Sequence, residues 1–180
     1  MTGRLIAVVG PSGVGKDTVM AALVAADLRL ALVRRVITRP SDAGGEDFDG
    51  VDRATFETMR DAGAFALWWS AHELSYGIPV EVDAALAAGR DMVANLSRGV
   101  LVQAQARFAQ LHVISLVARP EVLAERLAAR GREDPAQIAR RLARAGSGLP
   151  EGIAAQEVDN SGALSETVAA ALAGLYPVKA

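Results

Sequence analysis

The chain has 180 residues, 51% hydrophobic and 22% charged, with a net charge of -2 and no cysteine. That length suits one domain with a sizeable core, and the composition is that of an ordinary soluble globule rather than a disordered or low-complexity chain. The charge argues against a nucleic-acid partner, which would favour a basic field, and the missing cysteines remove disulfides, thiolate metal sites and thiol catalysis.

Leu5 to Val9 (LIAVV) is a continuous apolar run that fits a strand buried on both faces of a parallel sheet. It is too short for a signal peptide or a spanning helix, so the expected setting is cytoplasmic with no membrane partner. The run feeds a glycine-rich turn, and Val19, Met20, Leu23 and Val24 then recur at helical spacing. Leu30 to Ile37 reads as a second strand broken by Arg34 and Arg35, and Thr38 to Gly50 as a functional loop rich in Gly, Asp and Pro. Asp52 is placed to cap a helix through Arg60 that ends near Gly63. Phe65 to Trp69 is a short strand, and Pro79 opens a helix closed by Gly89. Met92 to Leu96 and His112 to Val117 are two further buried strands around a helix from Gly99 to Phe108. Helices from Pro120 to Arg130 and Pro135 to Ala145, a strand from Ala155 to Val158 and a helix from Leu164 to Leu175 complete the series. Strands alternating with helices imply an α/β sandwich with a mainly parallel sheet.

The turn carries the chemistry. Gly10, Pro11, Ser12, Gly13, Val14, Gly15 and Lys16 spell G-x-x-x-x-G-K, followed by Asp17 and Thr18. Such a loop offers successive backbone N–H groups to an anion at the positive end of a helix, and its lysine adds a point charge for the β and γ phosphates of ATP. Asp17 stands where a Ser or Thr hydroxyl would meet Mg²⁺. It has two readings: a carboxylate favoured by the helix dipole, or a ligand for Mg²⁺. At about 4 Å and an effective dielectric near 20, each like-charge pair costs on the order of 4 kcal/mol, so a carboxylate beside bound phosphate requires a cation between them.

GPSGVGK, ITR at Ile37 to Arg39, FDGVDRATF at Phe48 to Phe56, YG at Tyr76 and Gly77, and RLAARG with ARRLARA between Arg126 and Ala145 together resemble the guanylate kinase family along nearly the whole chain. The resemblance implies a P-loop NTPase three-layer sandwich in a single domain, 1–180. It also implies an acceptor-binding lobe at about 35–90 and an arginine-bearing lid at about 128–146 that closes on ATP. Departures narrow it. Ser70 and Ser97 stand where that family places the acidic residues that read guanine, the second arginine after Arg39 is missing, and Phe48 replaces a tyrosine. With GKD in the loop, VEVD after YG, and NLSR at Asn95 to Arg98, the pattern is similar to the ribose 1,5-bisphosphate phosphokinase branch.

That branch implies transfer of the ATP γ-phosphoryl group to a base-free sugar phosphate, giving 5-phosphoribosyl 1-diphosphate (PRPP) in phosphonate breakdown. Arg39 and Arg98 are the first candidates for the acceptor's phosphates, with Arg35, Thr38 and Tyr76 as helpers. Lys16, Arg130, Arg132 and Arg141 are the candidates for transition-state charge, the last three from the lid. Seventeen of the 19 basic residues are Arg, so each arginine also admits reading as a solvated surface charge, as Arg140 and Arg144 do. His72 and His112 are expected to be structural or exposed. Asn95 replaces a strand-end acid, and Asp17 is expected to supply the carboxylate that Asn95 lacks. A nucleoside-monophosphate kinase and a non-catalytic binding module of the same fold are the alternatives; oligomeric state stays open.

Overall fold

The computed structural model describes residues 2–129, 134–145 and 148–177. A five-stranded sheet, entirely parallel, runs in the order β2 (Leu30–Leu32), β7 (Asp91–Asn95), β1 (Leu5–Val9), β8 (Leu111–Val117) and β9 (Gln156–Asp159). The uniform apolarity of β1 has a direct cause: Leu5, Ala7 and Val9 face one hydrophobic core, Ile6 and Val8 the other. The first core is closed by α3 (Val82–Ala87) and α4 (Leu101–Arg107), the second by α1 (Lys16–Ala26), α5 (Pro120–Ala129) and α7 (Leu164–Leu175). The result is the three-layer α/β sandwich expected from the alternating elements.

Four more strands form a separate sheet, in the order β4 (Phe48–Gly50), β3 (Arg35–Ile37), β6 (Leu74–Pro79) and β5 (Phe65–Ala71), with α2 (Arg53–Asp61) beside it. Asp52 caps α2 as expected, its Oδ1 accepting the Thr55 N–H at 2.7 Å. Several expectations change here. The strand read over Leu30 to Ile37 is two strands in different sheets: Val33 is buried in the main core while Arg34 turns outward to Asp47 and Asp49, so the chain crosses between sheets at that pair. Part of the expected loop, Phe48 to Gly50, is β4. Pro79 does not open a helix; it is the last residue of β6, paired with Phe65, and α3 starts at Val82. Strand β6 itself was hidden by its short, mixed composition. Gly77 lies in it because the Phe65 ring covers that position, 2.5 Å from where a side-chain carbon would be.

At the edge of the main sheet, Asp91 accepts hydrogen bonds from the Arg4 backbone (2.7 Å), Arg4 Nε (3.2 Å), Arg4 Nη2 (2.7 Å) and the Tyr176 hydroxyl (2.7 Å). Burial raises the Asp91 carboxyl, but these bonds together outweigh it and hold the group below its ordinary pKa. Burial and the bond to Asp91 push Tyr176 up to about 12. The cluster ties the N-terminal strand to the C-terminal helix. Its carboxylate contribution is complete above the ordinary carboxyl pKa and is lost as pH falls through the folded value; its phenol contribution declines from about pH 10 upward. Asp91→Ala is expected to destabilise the fold by about 2–3 kcal/mol, somewhat less than a fully buried pair because Arg4 stays partly in water. Thermal unfolding should record it as a fall in Tm of about 5–10 °C.

Candidate active site

Residues 10–15 turn from β1 into α1, and Gly15 takes φ 94 with Asn160 Nδ2 2.9 Å from where a side-chain carbon would sit, so this position requires glycine. The Val14 carbonyl accepts from Asn160 Nδ2 at 2.7 Å and from Arg126 Nη1 at 3.2 Å. Asn160 is itself fixed by the Thr167 hydroxyl, which donates to its Oδ1 at 2.7 Å, and by Arg126 Nη2, which donates to its carbonyl at 2.8 Å. A trans peptide points its C=O and N–H in opposite directions, so anchoring the Val14 carbonyl turns the Gly15 N–H the other way, where a phosphate would lie.

A cleft of about 780 Å³ opens beside this loop. All the predicted loop residues line it except Val14, whose side chain is buried in the core. Lys16 Nζ donates to the carbonyls of Gly10 (2.9 Å) and Pro11 (3.3 Å) and so lies across the loop. Asp17, in the first turn of α1, accepts from Asn95 Nδ2 at 3.3 Å, bringing together the two residues that sequence reasoning linked. One carboxylate beside a phosphate-binding loop is a donor set that suits Mg²⁺, which takes few protein ligands and completes its shell with phosphate oxygens and water.

Arg35, Arg39, Tyr76 and Arg98 also line the cleft, opposite or beside the loop. They are not equivalent. Arg35 is buried, its Nε and Nη2 donating to the Glu46 carboxylate and its Nη1 to the Asn95 carbonyl at 2.9 Å, with its guanidinium 5.0 Å from the Tyr76 ring. Arg39 lies over the Phe48 ring at 4.4 Å and donates to the Gly44 carbonyl at 3.1 Å. Its Nε is buried and has no hydrogen-bond partner among the described residues. Burial lowers the pKa of Arg98, which follows β7, so a phosphate drawn beside it would restore what its charge loses in desolvation. Thr38 has a framework part: its hydroxyl accepts the Ser75 N–H at 2.8 Å and joins β3 to β6.

The indole of Trp69 donates to Ser97 at 3.0 Å and stacks on Tyr76 at 5.3 Å, and Ser70 and Ser75 share a hydrogen bond of 3.1 Å. His72, in the two-residue turn between β5 and β6, is on the cleft rim at φ 52, whereas the half-buried His112 meets Gln156 at 3.1 Å. Arg130 and Arg132 lie outside the described residues; Arg141 falls within α6 (Pro135–Ala145), but its side chain lies outside them too. Sequence reasoning missed Glu46, Trp69, Asn160 and the loop-bracing part of Arg126. Only Arg126 carried a motif signal, and the others acquire their places through contacts distant in sequence.

No protein-family model matches the chain. A ribose 1,5-bisphosphate phosphokinase PhnN of Ruegeria sp. is 55% identical over 172 residues, covering 95% of this chain and 90% of the relative. The protein of that name from Pseudomonas paraeruginosa is 51% identical, covering 97% and 96%. The chain belongs to the ribose 1,5-bisphosphate phosphokinase family. It is a kinase. A bifunctional ribose 1,5-bisphosphokinase-thymidine phosphorylase of Cupriavidus necator is 43% identical over 91% of this chain and 27% of its own, so this family's fold also occurs fused to a second activity. Among solved structures, a guanylate kinase from Anaplasma phagocytophilum superposes with a TM-score of 0.69 at 16% identity, covering 99% of this chain and 88% of the other. A gluconokinase from Sinorhizobium meliloti gives 0.56 at 21%, covering 97% and 91%. Those two likenesses establish a P-loop kinase fold. In this member of the ribose 1,5-bisphosphate phosphokinase family, Ser70 and Ser97 are both engaged in hydrogen bonds within the small sheet or to it.

Proposed function

We propose that the protein transfers the γ-phosphoryl group of ATP to the 1-phosphate of ribose 1,5-bisphosphate, producing ADP and PRPP. The observation that carries this is the cleft beside the phosphate loop: it gathers arginines for a phosphorylated acceptor, while Ser97 is tied to Trp69 where a guanine-reading carboxylate would be needed. An acceptor with two phosphates and no base matches that lining.

In the transfer, an oxygen of the 1-phosphate forms a bond to the γ phosphorus as the bond from that phosphorus to the β-bridging oxygen breaks, and ADP leaves with the electron pair. The attacking oxygen is already anionic, so no general base is required, and the protein's task is alignment and charge stabilisation. The loop N–H groups and Lys16 hold the donor phosphates, Arg39 and Arg98 the acceptor's, and Tyr76 borders the acceptor space. Asp17 would hold Mg²⁺, which supplies charge neutralisation to the ATP phosphates when bound. Arg130, Arg132 and Arg141 are proposed to close over ATP and exclude water. The setting is a cytoplasmic one, in phosphonate breakdown and PRPP supply; among the described residues no helix is long and apolar enough to cross a membrane.

A coupled ADP-release assay tests this. Ribose 1,5-bisphosphate should be turned over with kcat/KM about 10²-fold or more above GMP, and ribose 5-phosphate should give little ADP. Equal or faster turnover of GMP would assign the protein to the nucleotide kinases instead.

A further inference from the structure

Glu46 is the feature of the cleft that a polyanion-binding site does not require. It belongs to the segment between β3 and β4, lines the cleft, and its side chain is 12% exposed. A carboxylate among groups meant for phosphate repels the ligand unless it is neutralised and given another task. Neutralisation is visible: Arg35 grips Glu46 through two parallel N–H donors, and Arg35 is held in turn by the Asn95 carbonyl and by the rings of Tyr76 and Trp69 at 5.0 and 5.8 Å. The fork occupies one lone pair on each carboxylate oxygen, and an ionised carboxylate has about four acceptor positions. The remaining ones can take hydroxyl protons.

The position of the segment fixes which hydroxyls. The neighbouring residue, Gly45, sits between the two phosphate-handling sides: a side-chain carbon there would lie 3.4 Å from Asp17 Oδ2 and 3.8 Å from Arg39 Nη2. Under the proposed function, the transferring phosphate lies on the Asp17 side, the far acceptor phosphate lies by the arginines, and the sugar ring bridges them. We infer that Glu46, oriented by Arg35, accepts hydrogen bonds from the vicinal hydroxyls of the acceptor's ribose and selects ribose over 2-deoxyribose acceptors. Arg35 is then a positioning residue that acts through Glu46. This inference rests on the proposed function.

The test compares ribose 1,5-bisphosphate with 2-deoxyribose 1,5-bisphosphate in the wild type and in Glu46→Gln. The wild type should prefer the ribose acceptor by about 10- to 100-fold in kcat/KM, in line with the loss of one charge-assisted hydrogen bond. Glu46→Gln should bring that ratio to about threefold or below, chiefly through a raised acceptor KM for ribose 1,5-bisphosphate, with the KM for ATP unchanged. Arg35→Met/Glu46→Leu removes both charges of the pair, an exchange that buried ion pairs commonly tolerate, and should lose the preference in the same way if Glu46→Gln folds poorly. A wild type indifferent to the 2-hydroxyl, or a Glu46→Gln variant with the full preference intact, overturns the inference alone. A wild type that does not turn over ribose 1,5-bisphosphate overturns the proposed function and this inference with it.

Discussion

Lys16→Met is expected to lower kcat for ADP release by about 10³-fold, the scale on which a single preorganised charge stabilises a transferring group. The argument is positional. The ammonium lies across the loop, donating to the Gly10 and Pro11 carbonyls, at the wall of the cleft where the β and γ phosphates would be received. Lys16 is the only lysine among the described residues. Methionine fills nearly the same volume without charge, so the melting temperature should move by no more than a few degrees. Because the missing interaction strengthens as charge shifts onto the β-bridging oxygen, the loss should fall mainly on kcat, with a smaller rise in the KM for ATP. A variant within about threefold of the wild type would mean that the loop N–H groups carry the donor phosphates unaided.

What could be read before the fold was known divides along a physical line. The main sheet and its helices were legible because burial on both faces leaves continuous apolar runs, as at Leu5–Val9, and because the phosphate loop is a contiguous motif. Of the small sheet only β5 was, through the apolar run Phe65 to Trp69. β3 and β4 have three residues each, β3 holds the buried Arg35, and β6 holds a glycine and a proline, so neither periodicity nor propensity marks those three. The candidate site splits in the same way. Loop residues and Arg39, Tyr76 and Arg98 were named from motifs, and the structure gathers them on one cleft. Glu46 stood in a stretch whose several acids are indistinguishable by composition, and its partner is selected by a crossing between sheets. Asn160 comes from the far end of the chain to hold Val14, 146 residues away, a relation no local pattern encodes.

The second large effect concerns the carboxylate in the loop. Asp17→Ser is expected to raise the Mg²⁺ concentration needed for half-maximal ATP binding by about tenfold and to lower kcat by about 10², because a hydroxyl replaces the charge facing the metal and the phosphates. The two readings of Asp17 separate here. If it served only the helix dipole, its loss would cost about 0.3–1 kcal/mol of stability and leave the Mg²⁺ dependence as it was. The structure adds a reason to expect more: Asp17 is met by Asn95 at 3.3 Å, so the strand end and the loop share one small polar site in which the acid stands on the helix side. Asp17→Ser/Asn95→Asp returns a carboxylate to that site from the opposite side. It should recover at least a tenth of the wild-type kcat and most of the Mg²⁺ affinity, measured both by ADP release and by calorimetric titration of ATP at fixed Mg²⁺ levels. Asn95→Asp alone places two carboxylates in contact and should weaken ATP binding at low Mg²⁺ while tolerating high Mg²⁺, since only the cation relieves their repulsion. An Asp17→Ser enzyme with unaltered Mg²⁺ dependence would return the residue to a capping role. A double variant no better than the single one would show instead that the carboxylate must stand on the helix and cannot be exchanged across the site.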